Sequence, residues 1–176
     1  MSVLEKVAKS ELRDMLGKGW LTHDGMWFYH TSRAFGVDRA NSLNRAAIRS
    51  IAPIEINRVK KILGVGEGEF ESFERLRDFL LNAFELILPG SVSRGFSFSA
   101  SSENTLHWEW EKGECFAFKG MTHAGMIDDY RCGVIYRIGR WLDALGISYS
   151  IDPSIDACIM HTTGTCSGDI RVSPGE

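Results

Sequence analysis

The sequence predicts an α+β fold, with an N-terminal helical bundle followed by an antiparallel sheet interrupted by one helix. Three observations carry this reading. Apolar residues recur every three or four positions as far as residue 88. Pro89-Gly90 stops that pattern, and from Ser91 the period changes to two. Runs of helices before runs of strands, with no alternation between them, are the pattern of α+β proteins rather than α/β ones.

Each element has its own justification. Leu4, Val7, Ala8, Leu12, Met15 and Leu16 share one helical face, and Gly17 and Gly19 are expected to close that helix. Thr22 or Asp24 is a cap for a second, short helix reaching about Ala34. Asp38 is a cap for a longer helix from Arg39, with Leu43, Ala47 and Ile51 on one face. Pro53 interrupts that pattern, and Ile54, Val59 and Ile62 resume it, so a kinked helix or two consecutive ones is expected before a loop at Gly64–Gly68. Glu69–Leu88 is the last helix of the first part, with Phe70, Phe73, Leu76, Leu80, Phe84 and Ile87 as its stripe.

In the second part Val92, Arg94, Phe96 and Phe98 alternate with small residues, and Leu106, Trp108 and Trp110 alternate with His107, Glu109 and Glu111. These are two strands of a hairpin turning at Ser101–Asn104. Cys115–Phe118 reads as a third short strand and Gly120–Gly125 as a loop. Tyr130–Leu145 reads as an amphipathic helix stopped by Gly146. Ile147, Tyr149 and Ile151 form a strand, and Asp156–Val172 reads as a tight hairpin turning at Thr163-Gly164.

The 176 residues form one domain, with residues 1–88 as its helical part and 91–176 as its sheet part. Apolar residues make up 44% and charged residues 24%, which is ordinary globular composition. A net charge of −3 with no basic stripe argues against a nucleic-acid partner. No run of 18 apolar residues is present, which argues against a membrane span, and the N-terminus lacks the layout of a signal peptide. A cytoplasmic location is expected.

That compartment bears on the four cysteines, Cys115, Cys132, Cys158 and Cys166, all in the last third of the chain. Thiols that cluster in a reducing compartment lean towards metal or redox work rather than disulfides. Seven residues separate Cys158 from Cys166, so a hairpin brings them together, while Cys132 sits near a helix start, where the partial positive charge favours a thiolate. Four soft ligands suit zinc, with Cys115 as the fourth. The repeated Cys-x-x-Cys of a zinc ribbon is missing. A redox pair at Cys158 and Cys166 competes with the metal reading, and four separate buried thiols are the plainer alternative.

The helix Cys132-Gly-Val-Ile-Tyr-Arg-Ile-Gly-Arg-Trp-Leu-Asp-Ala-Leu-Gly146 and the ending Asp156-Ala-Cys158…Gly-Thr-Cys166-Ser-Gly-Asp-Ile-Arg-Val172 resemble the C-terminal half of 4-vinyl-reductase-type domains. Those bind small molecules and share the fold of haem–nitric-oxide-binding and Golgi-transport-particle domains. The resemblance implies zinc at Cys132, Cys158 and Cys166, with Cys115 or an acidic residue near Asp156 as the fourth ligand. Trp20–Phe28, Ile54–Arg58 and the four cysteines also resemble an uncharacterised bacterial and archaeal cytosolic family related to L-2-amino-thiazoline-4-carboxylic acid hydrolase-like proteins. That likeness implies a fold more than a reaction.

Three further polar residues are candidate catalytic groups. His23 and Asp24 are adjacent and Glu55 is available from the next helix, although a cap at Asp24 and packing hydrogen bonds from His23 and Glu55 are the favoured, plainer account. Trp27, Phe28, Phe96 and Trp108, with Phe98 and Trp110, are candidates for the lining of an apolar pocket that takes a small apolar or aromatic molecule, with plain core packing as the alternative. His123 and His161 stand near the cysteines as substitute ligands. The leading expectation is a ligand-binding sensor or carrier with a structural zinc, with a homodimer through the N-terminal helices as a further expectation. A metal-dependent hydrolase of a small cyclic amide or thiazoline, and a thiol redox protein, are the alternatives.

Overall fold

The computed structural model describes residues 2–66, 70 and 72–173. Two 27-residue helices come first, α1 (Lys9–Phe35) and α2 (Val37–Leu63), joined at Gly36 (φ +86°). Helix α3 (Phe73–Ile87) is capped by the Ser72 hydroxyl, which accepts the Arg75 N–H. Strands β1 (Phe96–Ser102) and β2 (Thr105–Trp110) form a hairpin turning through Asn104 (φ +55°). Helices α4 (Phe116–His123) and α5 (Val134–Ala144) follow, then β3 (Ser148–Asp152), the short helix α6 (Ile159–Thr163) and β4 (Cys166–Ser173). The chain is α+β, a helical region followed by a four-stranded antiparallel sheet in the order β1-β2-β4-β3.

One face of the sheet is covered. Cross-strand rows Phe96–Trp110–Cys166, Phe98–Trp108–Gly168 and Ala100–Leu106–Ile170–Ile151 run over that face. Phe84 of α3 packs its ring on Phe96, Phe98 and Trp141, with centroids 4.8–5.3 Å apart. Trp108, Leu106, Ile170, Leu76, Leu80 and Leu142 are sealed from solvent. On the other face His107 Nδ1 and Asp169 Oδ1 pair across β2 and β4 at 2.8 Å.

Several expected boundaries are corrected. Gly17 and Gly19 do not end a helix, because α1 runs through both. Gly17 instead admits Pro89, whose Cγ would lie 2.5 Å from any added Cβ, so the contact with the α3 terminus offsets the helical cost of glycine, about 1 kcal/mol. Asp38 lies in the first turn of α2 rather than capping it, and Pro53 sits within an unbroken helix. The buried face of α2 is Ala40, Asn41, Ile48, Ala52, Ile56 and Val59, while Leu43 and Ile54 are exposed. The loop expected at Gly64–Gly68 and the helix start expected at Glu69 fall partly outside the described residues.

The largest corrections lie around the cysteines. Cys115–Phe118 is no strand: Cys115 caps α4, which continues to His123. The segment around Cys158 is no hairpin strand either, since Cys158 caps α6 and Gly164 closes it in a left-handed turn (φ +85°). Three helices, not one, therefore interrupt the sheet.

Candidate functional site

The four thiols are all buried, between 6% and 9% exposed, and all are free. Four different local structures deliver them. Cys115 leaves the β2 end to cap α4, and the turn before it is fixed where Gly113 N–H meets Met160 Sδ at 3.2 Å, tying it to α6. Cys132 precedes α5 on a segment that pairs with the segment before α6: Arg131 bridges Ala157, and Cys132 N–H donates to Asp156 C=O at 3.2 Å. Cys158 follows directly on that paired stretch, and Cys166 opens β4 beside Trp110.

Their mutual proximity shows in their acidity. Burial pushes the Cys115 and Cys166 thiols up to about 12, and raises Cys132 as well. A negative charge on Cys158 raises the other three further, and Cys166 also responds to Cys115 and Cys132. Backbone N–H groups work the other way, those of Phe118 and Ala117 on Cys115 and those of Ile135 and Val134 on Cys132. The helix-start effect expected at Cys132 is thus present but is outweighed by burial. Trp108 favours the Cys166 thiolate too, although its Nε1–H lies outside hydrogen-bond geometry and has no partner.

Among the described residues no three His, Cys, Asp or Glu side chains stand in an arrangement that could hold a metal ion. The donor chemistry fits zinc, with four buried sulfurs and N–H groups favouring three thiolates, but the side chains do not form a closed shell as they stand. The substitute ligands are engaged elsewhere or lie outside. Asp156 pairs with Arg45 at 3.0 Å, His161 Nε2 meets Asp128 at 2.8 Å, and His123 is exposed at the end of α4.

A pH dependence follows for the metal-free chain. Folded pKa values for Cys115 and Cys166 near 12 lie above the ordinary 9.0, so above pH 9 the folded state keeps protons that the unfolded state releases. The stability linked to these thiols is fully present below pH 9 and is lost as pH rises towards about 12. The slope is at most about 1.4 kcal/mol per pH unit for each thiol. Urea unfolding at about pH 8 and about pH 10.5 measures it, and equal midpoints would contradict the burial argument.

Beside the thiols lies a cavity with an accessible volume of about 90 Å³, or about 690 Å³ of empty space when its mouth is included. Trp20 and Leu21 of α1, Ile48 of α2, Phe84 of α3, Phe96 and Trp110 of the hairpin, and Ile138 and Trp141 of α5 form its walls. Phe116 and Tyr130 belong to both places, as wall residues that follow Cys115 and precede Cys132. Tyr130 is buried, stacks edge-on against Phe28 at 5.6 Å, and accepts the Gly133 N–H at 3.0 Å. Burial holds the Tyr130 hydroxyl well above the usual phenol pKa, and the nearby Cys132, Cys115 and Cys158 add to that.

The candidate residues separate on this map. Phe96 lines the cavity and Phe28 backs it through Tyr130. Trp27 is 66% exposed and is not in the wall of this cavity, with the His23 ring 6.5 Å from it. Trp108 lies under β4 beside Cys166 rather than in the cavity wall. Asp24 reaches the cavity, His23 is exposed, and Glu55 accepts the Trp141 indole N–H at 2.8 Å with Arg137 at 3.7 Å. Among the described residues no hydrogen bond joins His23, Asp24 and Glu55. Sequence reasoning missed Arg137, which stacks on Trp20 at 4.7 Å inside the cavity, and Asn41, which anchors the Cys132 segment. A basic residue on the apolar side of α5 was the available signal for the first.

A family model described as a family of unknown function (DUF6125) matches residues 4–86, which include α1, α2 and most of α3. No curated protein and no solved structure gives a match. No helix among the described residues is long and apolar enough to cross a membrane.

Proposed function

We propose that this protein is a small-molecule-binding domain, of sensor or carrier type, whose cavity takes a small apolar or aromatic molecule and whose thiol cluster holds a structural zinc. The observation that carries the reading is the cavity itself. Aromatic side chains from α1, α3, the hairpin and α5 converge on one space, and its wall residues Phe116 and Gly133 are the chain neighbours of the buried Cys115 and Cys132. The resemblance of the Cys132–Val172 stretch to 4-vinyl-reductase-type domains supports the same assignment. Zinc would draw the sulfurs of Cys115, Cys132, Cys158 and Cys166 inward as thiolates and pin α4, α5, α6 and β4 together. The hydrolase reading has less support, because Glu55 is committed to Trp141 and His23 lies on the surface. A cytoplasmic location accords with four free thiols.

Two measurements test this. Val134→Trp fills the cavity from α5, so wild type is expected to bind toluene saturably in ligand-observed NMR and the folded variant to lose that signal. No saturable binding of any small arene by wild type would end the ligand reading. Elemental analysis after purification without added metal is expected to give about one zinc per chain, falling several-fold in Cys158→Ser. A metal-free wild type would remove the zinc and leave the cysteines as packing residues.

A further inference from the structure

The cavity walls are apolar, but their polar atoms are unbalanced. Trp110 is 3% exposed and lines the cavity, and its Nε1–H is buried with no hydrogen-bond partner. Arg137 also lines it, and its buried Nε–H has no hydrogen-bond partner. The closest carboxylate, Glu55 Oε2, stands 3.7 Å from that nitrogen and is already occupied by Trp141. Tyr130 accepts the Gly133 N–H and so keeps its own hydroxyl proton to donate. The wall therefore carries three donor-bearing side chains, two of them with buried N–H groups left open, and buried N–H groups without partners are rare in native proteins.

The charge balance narrows what completes them. Glu55 beside Arg137 offsets much of the guanidinium charge, so an acceptor oxygen suffices and a full anion is not required. An ammonium set between the Trp110 and Arg137 N–H groups would be repelled, and Asp24 is the carboxylate of the wall that it would have to reach instead. Arg137 lies over the Trp20 ring, which directs its remaining N–H groups sideways, in the guanidinium plane. Phe84, Phe96 and Trp141 offer ring edges and faces for a flat partner.

We infer that the cavity selects a planar arene carrying a hydrogen-bond acceptor, a carbonyl or a carboxylate, with its oxygen held by Trp110 Nε1–H and the Arg137 guanidinium. This rests on the ligand-binding reading above and specifies the polar end of the ligand. Two other tryptophans act as internal controls. Trp141 lines the cavity with its N–H already bonded to Glu55, and Trp108 has an open N–H but lies outside the cavity.

The test uses toluene, acetophenone, benzoate and benzylamine against the full chain, following indole resonances in ¹H–¹⁵N spectra. Trp110→Phe assigns the Trp110 signal. Acetophenone or benzoate is expected to bind at least about tenfold more tightly than toluene, and benzylamine no better than toluene. The Trp110 indole proton should move downfield saturably while those of Trp108 and Trp141 stay in place. Trp110→Phe should cost acetophenone at least about fivefold more affinity than it costs toluene. Benzoate ahead of acetophenone would assign a carboxylate, and the reverse order a neutral carbonyl. Equal binding of toluene and the oxygen-bearing arenes, a preference for benzylamine, or binding of acetophenone with an unmoved Trp110 proton would overturn the inference while leaving the ligand-binding reading intact. Failure of all four arenes to bind would overturn both.

Discussion

Gly168→Ala should lower stability by about 3 kcal/mol or more, at the upper end of what overpacking a core costs. In an ordinary strand the same change is favourable by a few tenths of a kcal/mol or more, because alanine has less backbone freedom to lose. Here the sign reverses. A Cβ on Gly168 would stand 2.5 Å from the Asp152 carbonyl oxygen and 2.5 Å from Trp108 Cζ2, and would meet Trp108 Cη2 as well. The carbonyl belongs to the backbone at the end of β3, and Trp108 is sealed from solvent. Neither can retreat cheaply. Any relief comes from tilting the indole, which lies beside Cys166, so Cys166 should also react faster with an alkylating reagent. Urea unfolding with mass-spectrometric alkylation reads both quantities. A variant within about 1 kcal/mol of wild type would show that Trp108 yields freely.

Gly168 also shows where the sequence stops being informative. The tail Cys166–Val172 is readable as a strand, but that its glycine holds room for a tryptophan two strands of sequence away depends on register, which local pattern does not set. The helical region, the switch at Pro89-Gly90, the β1–β2 hairpin and the amphipathic face of α5 were legible, because each is a repeat of apolar positions longer than one turn. Short segments were not. Cys115–Phe118 and Ala157–His161 carry apolar residues that fit a strand as well as one helical turn. What decides them is tertiary: Met160 receives the Gly113 N–H, and the Thr162 and Thr163 hydroxyls turn back onto the Cys158 and Ile159 carbonyls. Gly17 misled for the same reason, since its partner, Pro89, is remote in sequence.

The candidate site divides along the same line. Cys115 and Cys158 were expected on strands and instead cap α4 and α6, while Cys166 stands on a strand as expected. Of the aromatic residues expected around a cavity, Phe96 and Trp110 line it, whereas Trp27 points outward and Trp108 packs under the sheet, and the unexpected Trp20 and Trp141 complete the walls. Alternation and helical spacing identify the buried face of an element. They do not say which buried residues meet another layer tightly and which border a gap.

Asn41→Ala should cost about 2–5 kcal/mol, a fall in Tm of roughly 5–15 °C for a chain of this size. Asn41 is the polar residue on the buried face of α2, 1% exposed. Its Nδ2 donates to the Asp129 carbonyl at 2.8 Å and its Oδ1 accepts the Arg131 N–H at 2.9 Å. One side chain thus takes both backbone groups flanking Tyr130, in place of a strand partner, and straps the segment carrying Tyr130 and Cys132 onto α2. Alanine would leave an N–H and a carbonyl without their partner at a part-buried site, each costing about 1–3 kcal/mol. Asn41→Asp separates the two bonds: it keeps the acceptor for Arg131 but sets a carboxylate against the Asp129 carbonyl, so it should cost at least as much as alanine. The effect should also be local. Loosening this strap frees Cys132 before Cys166, which β4 holds independently, so alkylation of Cys132 should accelerate more than that of Cys166. Calorimetry with residue-resolved alkylation checks both parts, and a variant as stable as wild type with Cys132 still protected would show that α5 positions this thiol without help from α2.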